Sequence, residues 1–312
     1  MLFERNQVVL AKIETDPGSD ISPAAADAIK CGVVDVAVDG RQLNDISVRN
    51  SISAEPRRFV NKTVRMTITV AAKGSGDAKT PPEISPLLQS CALKEVITST
   101  VGQEKVTYTP LNAAANMKTC TIYVYKDGLV IKAVGCMGEL TFNGQAGEFA
   151  IFTFEMQGKF LAAADASNPT PTYDATEAEE VKNYGFDFGS YDEAVARNFG
   201  FSTGNNLVSR PNVNALDGLE PFVVTARDPQ WNSNIEATLE ATNPFWDDFI
   251  NRDTVALGFT HGATSGNIIE FTAAKANYDA PRFASEDSIN MYNLAGQLLE
   301  TNGEDNFTLV FK

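Results

Sequence analysis

Histidine and tryptophan are almost missing from this chain: 312 residues hold one histidine, His261, and two tryptophans, Trp231 and Trp246. One imidazole, next to Gly262 and without a supporting motif, gives no basis for a Ser-His-Asp triad. The four cysteines, Cys31, Cys91, Cys120 and Cys136, are scattered, with no close CxxC pair. That spacing offers no zinc knuckle, and disulfides are not expected in a chain made in reducing cytoplasm, so buried free thiols are expected. Long apolar runs are missing too. No stretch approaches the ~20 residues of a membrane helix. The opening Met1-Leu2-Phe3-Glu4-Arg5-Asn6 lacks the basic-then-apolar pattern of a secretory signal, so the sequons at Asn61 and Asn306 are expected to stay unglycosylated. Gly74-Ser75-Gly76 lacks the frame of a phosphate loop. No catalytic, cofactor-binding or metal-binding residues are therefore expected.

Positive charge is scarce in one half only. Of 25 basic and 40 acidic residues, 17 of each fall in residues 1–160, leaving 8 basic against 23 acidic in 161–312. The second half carries the whole net charge of −15. Such a chain is poorly suited to gripping nucleic acid, which is bound by neutralising phosphates. It suits a surface that nucleic acid passes without sticking, although acidic residues also serve solubility.

What the chain does contain is a repeat. A constant shift of 138 lays residues 128–158 on 266–296 without a gap. It matches Gly128 with Gly266, Ile131 with Ile269, Ala146 with Ala284, Glu148 with Glu286, Ile151 with Ile289 and Gly158 with Gly296. A period this long indicates domain duplication rather than a solenoid. Upstream, the alternation Val64-Arg65-Met66-Thr67-Ile68-Thr69-Val70 matches Ile235-Glu236-Ala237-Thr238-Leu239-Glu240-Ala241, the period of a half-buried strand. A short helix is predicted after each, near 83–91 and 244–251, with Asn243 as N-cap and Pro244 at the first helical position. Hairpins follow, marked by Asp127-Gly128 and by Asn302-Gly303. The expected fold is mainly β: two tandem antiparallel β-sandwich or barrel domains, each with one short α-helix. The divisions are an N-terminal arm (1–30), a first domain (31–161), a linker (162–184) and a second domain (185–312). Glu148 and Glu286 read as turn flanks rather than as a catalytic pair. Trp231 and Trp246 read as core or interface anchors.

Several stretches, in order, resemble the duplicated major tail tube proteins of long-tailed bacteriophages. They are Leu10-Ala11-Lys12-Ile13-Glu14-Thr15-Asp16-Pro17-Gly18, Glu83-Ile84-Ser85-Pro86-Leu87-Leu88-Gln89-Ser90-Cys91, Val106-Thr107-Tyr108-Thr109-Pro110 and Tyr123-Val124-Tyr125-Lys126-Asp127-Gly128. In the second copy they are Phe201-Ser202-Thr203-Gly204-Asn205, Arg210-Pro211-Asn212-Val213-Asn214 and Thr225-Ala226-Arg227-Asp228-Pro229. The resemblance implies a non-enzymatic virion protein with a tube-type fold, assembled in the bacterial cytoplasm. It implies stacked trimeric, pseudo-hexameric rings through which double-stranded DNA is ejected. Partners would be further copies, a tape measure protein and tail completion proteins, with no membrane. A tube protein of a contractile injection or secretion apparatus and a carbohydrate-binding β module remain alternatives.

Two sets of residues follow for the assembly. The arm, the loop 71–82 and the linker are too long for ordinary connections. Inter-subunit contacts are expected there, at Ile13, Pro17, Lys73, Lys79, Pro171 and Tyr173. Glu236 and Glu240, on the polar phase of the strand that matches Arg65 and Thr69, are expected to face the lumen.

Overall fold

The computed structural model of the protein describes residues 2–45, 52–53, 56–182, 185–215 and 217–312. The first half runs through β1 (Gln7–Ile13), β2 (Ala28–Ile29), β3 (Asp35–Asn44), β4 (Arg57–Ala71), α1 (Ser85–Ser90), β5 (Leu93–Thr98), β6 (Lys105–Pro110), β7 (Cys120–Lys126), β8 (Leu129–Gln145) and β9 (Ile151–Asp165). The second runs through β10 (Gly185–Phe188), β11 (Ala196–Ser202), β12 (Asn205–Val208), β13 (Val223–Arg227), β14 (Gln230–Glu236), α2 (Phe245–Asn251), β15 (Val255–His261), β16 (Ile269–Ala276), β17 (Arg282–Glu286), β18 (Ile289–Gln297) and β19 (Thr308–Phe311). Every ladder among the described residues is antiparallel. The described residues are mainly β with two short α-helices, as the alternating patterns predict.

Two large sheets enclose the main core, and a third sheet of two strands pairs β12 with β13. The larger contains an eight-strand run in the order β3-β4-β9-β8-β11-β14-β18-β17, with β7, β1 and β2 branching from β8. The smaller has the order β10-β15-β16-β19-β6-β5. Both sheets thus cross from the first half of the chain to the second: β8 pairs with β11, and β19 pairs with β6. A continuous aromatic layer lies between them. Phe142 stacks on Phe201 at 5.5 Å and on Phe259 at 5.2 Å, while Phe201 stacks on Phe271 at 4.5 Å. Such ring pairs add to the burial of large apolar areas.

Local chemistry sets the main turns. Asp127 and Gly128 have φ of 48° and 101°, the positive pair that a tight β7–β8 hairpin needs. On β4, Val64, Met66, Ile68 and Val70 are buried and Arg65 is exposed, following the period of two. Gly135, at φ 61°, marks a register break in β8. There the first half of β8 stays with β7 and the second half meets β11.

Four sequence expectations need correcting. First, residues 7–13 are no free arm: β1 pairs with β7 along its whole length and places Val9 and Ala11 in the core. Second, the strand expected at 235–241 lies at Gln230–Glu236, and Leu239 is 78% exposed rather than core-facing. Third, Asn243 does not cap α2. The N-cap position is Pro244, and Glu240 reaches the helix start from upstream, its Oε1 accepting from the amides of Trp246 and Asp247 at 2.9 Å each. Fourth, Asn302-Gly303 does not close a hairpin, because β19 leaves β18 for the other sheet and pairs with β16 and β6.

The constant shift of 138 also has limits. It lays β9 on β18, and both strands take the same place beside β4 and β14. It lays β8 on residues that include β16, and those two strands belong to different sheets.

Candidate assembly edges and polar face

The eight-strand run holds two groups of four with the same internal order. β3, β4, β9 and β8 pair in sequence, as do β11, β14, β18 and β17. Each group takes its second strand into a short helix: β4 leads to α1 and β14 to α2. β8 meets β11 in the middle of the run. At the two ends, β3 pairs only with β4 and β17 only with β18 among the described residues. Strands with one open side present unpaired N–H and C=O groups and are templates for another chain.

The end strands also leave apolar side chains uncovered. Val38 on β3 is 50% exposed and Phe283 on β17 is 64% exposed. In the middle of the run the comparable side chains, Leu140, Phe142, Phe199 and Phe201, are all buried.

One face of the run packs on the core and the other is polar. Ladder partners share a face, so Arg65 stands with Ala37 and Gln157, Glu139 with Glu155, and Asn234 with Asn198 and Asn293. Along this face lie six acids, Asp35, Asp39, Glu139, Glu155, Glu236 and Glu286, against four cations, Arg65, Lys159, Arg197 and Arg282. Arg197 pairs with Glu286. Lys159 is held at 3.0 Å by Asp217. Burial, with the nearby Glu155 charge adding to it, raises the Glu139 carboxyl above its usual range. A polar groove of about 470 Å³ lies on the second group, lined by Arg197, Asn198, Asn232, Asn234 and Arg282 among others.

Side chains inside the fold tie its parts together. Glu14 is buried and accepts from the Gly18 amide (2.6 Å), Thr119 Oγ1 (2.5 Å), Thr121 Oγ1 (2.9 Å) and the Gly135 amide (2.7 Å). It fixes the turn after β1 to the bend in β8. Arg227 reaches across the junction of the halves. Its Nη2 donates to the carbonyls of Ala92 (2.9 Å) and Leu111 (3.3 Å), and its Nε to Asn205 Oδ1 (3.1 Å). Neither role was foreseen. Arg227 stands within a stretch quoted for the family resemblance, the one signal that marks it in the sequence.

The expected contact residues separate into two kinds. Lys73 is engaged within its own chain: it is buried, 3.3 Å from Glu83 and 3.2 Å from the Asp174 carbonyl. The next residues of its loop dock on the second half. The Gly74 amide donates to Asn267 Oδ1 at 2.7 Å, and the Gly76 amide to the Gly266 carbonyl at 3.0 Å. Ile13 is half-buried against the core. Pro17, Lys79 and Tyr173 remain exposed and Pro171 half-buried. The linker is likewise held by its own chain, through Thr172 to Ala25 and Val181 to Glu148. Glu236 is half-buried at the end of β14, opposite Met291. Glu240 is off the strand and engaged at the start of α2, so it does not share the polar face with Glu236.

Burial sets the chemistry of the remaining reactive groups. It pushes the thiols of Cys91 and Cys136 well up and Cys31 to about 12, with Glu83 adding to the last. It also lowers the His261 imidazole below its usual range, against the raising charge of Glu179. Among the described residues, no group of three or more His, Cys, Asp or Glu is placed to hold a metal.

The fold is thus an antiparallel double sheet with two like four-strand groups, open end strands and one polar face. The family model described as phage tail tube protein matches residues 4–297. The chain belongs to that family and is a structural component of the phage virion. No curated protein matches it.

Proposed function

We propose that the chain carries two tube domains, 31–161 and 185–312, with β1 added to the first. Three chains close into a ring of pseudo-sixfold symmetry, and rings stack into the hollow tail tube through which double-stranded DNA is ejected. The observation that carries this reading is the repeated four-strand order with an open strand at each end of the run. A structure that joins its own two groups edge to edge has the means to join further copies in the same way, and a closed ring leaves no strand edge exposed. A tape measure protein and tail completion proteins are the further partners this reading requires.

The polar face is proposed as the channel wall. Its six acids outnumber its four cations, Arg65, Lys159, Arg197 and Arg282, and a wall that is net acidic repels phosphate rather than binding it. Glu236 belongs to this wall and Glu240 does not. Pro17, Lys79, Pro171 and Tyr173 are proposed for contacts between rings.

Electron microscopy of the purified protein tests assembly directly: rings or tubes are expected, and a monodisperse monomer at high concentration refutes the proposal. A Glu236→Lys variant that still assembles tests the wall. It is expected to slow DNA ejection in a salt-dependent way; unchanged ejection counts against the wall.

A further inference from the structure

The junction inside the chain supplies a template for the junction between chains. β9 corresponds to β18 at the shift of 138, so Phe154 takes the place of Tyr292. Ladder partners then carry the correspondence outward. Ile68, opposite Phe154, matches Ile235, opposite Tyr292. Asp35, opposite Thr67, matches Asn198, opposite Asn234. Val36 and Val38 therefore match Phe199 and Phe201. On the other side, Leu140, opposite Phe154, matches Phe283, opposite Tyr292. Phe142 matches Ser285. Thus β3 is the counterpart of β11, and β17 the counterpart of the second half of β8.

Within the chain β11 and β8 are joined: Phe201 stands opposite Phe142, Gly200 opposite Asn143 and Phe199 opposite Gly144. Their counterparts, β3 and β17, are the two open ends. We infer that β17 of one chain pairs antiparallel with β3 of a second copy, with Val38 opposite Ser285, Ala37 opposite Glu286 and Asp39 opposite Ala284. This rests on the proposed ring and specifies the strands and register that close it.

Two independent features agree with this occupant. The exposed apolar residues at the ends, Val38 and Phe283, match Phe201 and Leu140, which the internal junction buries to 2% and 0% exposure. A second copy would cover them in the same manner. The register also sets Asp39 diagonal to Arg282, an opposite-charge pair at the reach of long side chains. Glu286, which would face Ala37, already has Arg197 as its partner.

The test mixes two single variants, Val38→Cys and Ser285→Cys, under a mild oxidant after assembly. Opposed residues have Cα atoms ~4.5–5.5 Å apart, within the ~4.4–6.8 Å range of a disulfide. A slip of two residues adds ~6–7 Å along the strand and removes that option. A covalent dimer is therefore expected from the 38/285 mixture and not from a mixture of Val38→Cys with Phe283→Cys. The unsubstituted chain, which carries the half-buried Cys31 and the buried Cys91, Cys120 and Cys136, is the background control. Hydrogen exchange on the unsubstituted protein is the second readout, with backbone amides in 35–39 and 282–286 gaining protection on assembly. Rings in which 38/285 does not link and these amides stay fast overturn the inference but leave the ring intact. If the unsubstituted chain forms no rings, both the ring and this pairing are overturned.

Discussion

Phe201→Ala probes whether the two halves share one core. Phe201 lies on β11, immediately across from β8, and its ring is 5.5 Å from Phe142 of the first half. It is also 4.5 Å from Phe271 and 5.7 Å from Phe307 of the second half. Only 2% of the residue is exposed. Truncating a buried phenylalanine costs ~3–5 kcal/mol, the transfer free energy plus the cavity left behind. Stacking on both sheets places this site near the middle of that range, about 4 kcal/mol. For a chain of this size each kcal/mol moves Tm by about 2 °C, so a fall of roughly 8 °C is expected. Differential scanning calorimetry on protein kept unassembled by dilution is the assay. One cooperative transition should move as a whole, because the cavity opens between sheets that both halves build. Two transitions of which only one shifts, or a loss below ~1 kcal/mol, would refute the shared core.

Three further outcomes follow from particular contacts. Glu139→Gln removes a like-charge cross-strand pair, worth ~0.2–1 kcal/mol, and should stabilise the protein at pH 7. The folded-state pKa is raised, so protonated Glu139 favours the fold and that contribution is lost as pH rises through the folded pKa. The variant's advantage in urea midpoint should vanish below the ordinary carboxyl value of 4.5; an advantage constant with pH would contradict the assignment. Arg227→Lys keeps the charge but loses the fork that spans Ala92, Leu111 and Asn205, and should cost ~2 kcal/mol in urea unfolding. Gly74→Ala would place a Cβ 2.0 Å from the Gly266 carbonyl oxygen, which is backbone and cannot swing aside. It should cost ~1–3 kcal/mol and speed exchange of the Gly76 amide, whereas an unchanged exchange rate would show that the loop is not latched there.

What the sequence revealed depended on how regular each strand is. Alternation through Val64–Val70 and the Asp127-Gly128 turn located β4 and the β7–β8 hairpin, because burial on one face and positive φ each impose a distinct residue choice. β14 was misplaced for a physical reason. Its inward positions are Trp231, Ser233 and Ile235, and the small polar Ser233, which donates to the Asn198 carbonyl at 2.7 Å, breaks the apolar alternation. The downstream segment Ile235–Ala241 imitates a strand but carries Glu240, which reaches the start of α2. The joining of the halves was not legible, since β8–β11 and β19–β6 pairings are long-range and leave no local pattern. The burial of Glu14 and Lys73 leaves no local pattern, because the Gly135, Thr119 and Asp174 groups they meet lie 121, 105 and 101 residues away. The family likeness supplied the role of the chain; its residues alone supplied only a β-rich, duplicated, acidic protein.

The most direct measurement of the ring itself is cryo-electron microscopy of tubes grown from the purified chain, with native mass spectrometry of the smallest ring. Three chains of 33.7 kDa, about 101 kDa per ring, and a map with threefold symmetry whose six densities alternate between two kinds are the predicted result. A ring of six chains, or six identical densities around the channel, would contradict the account.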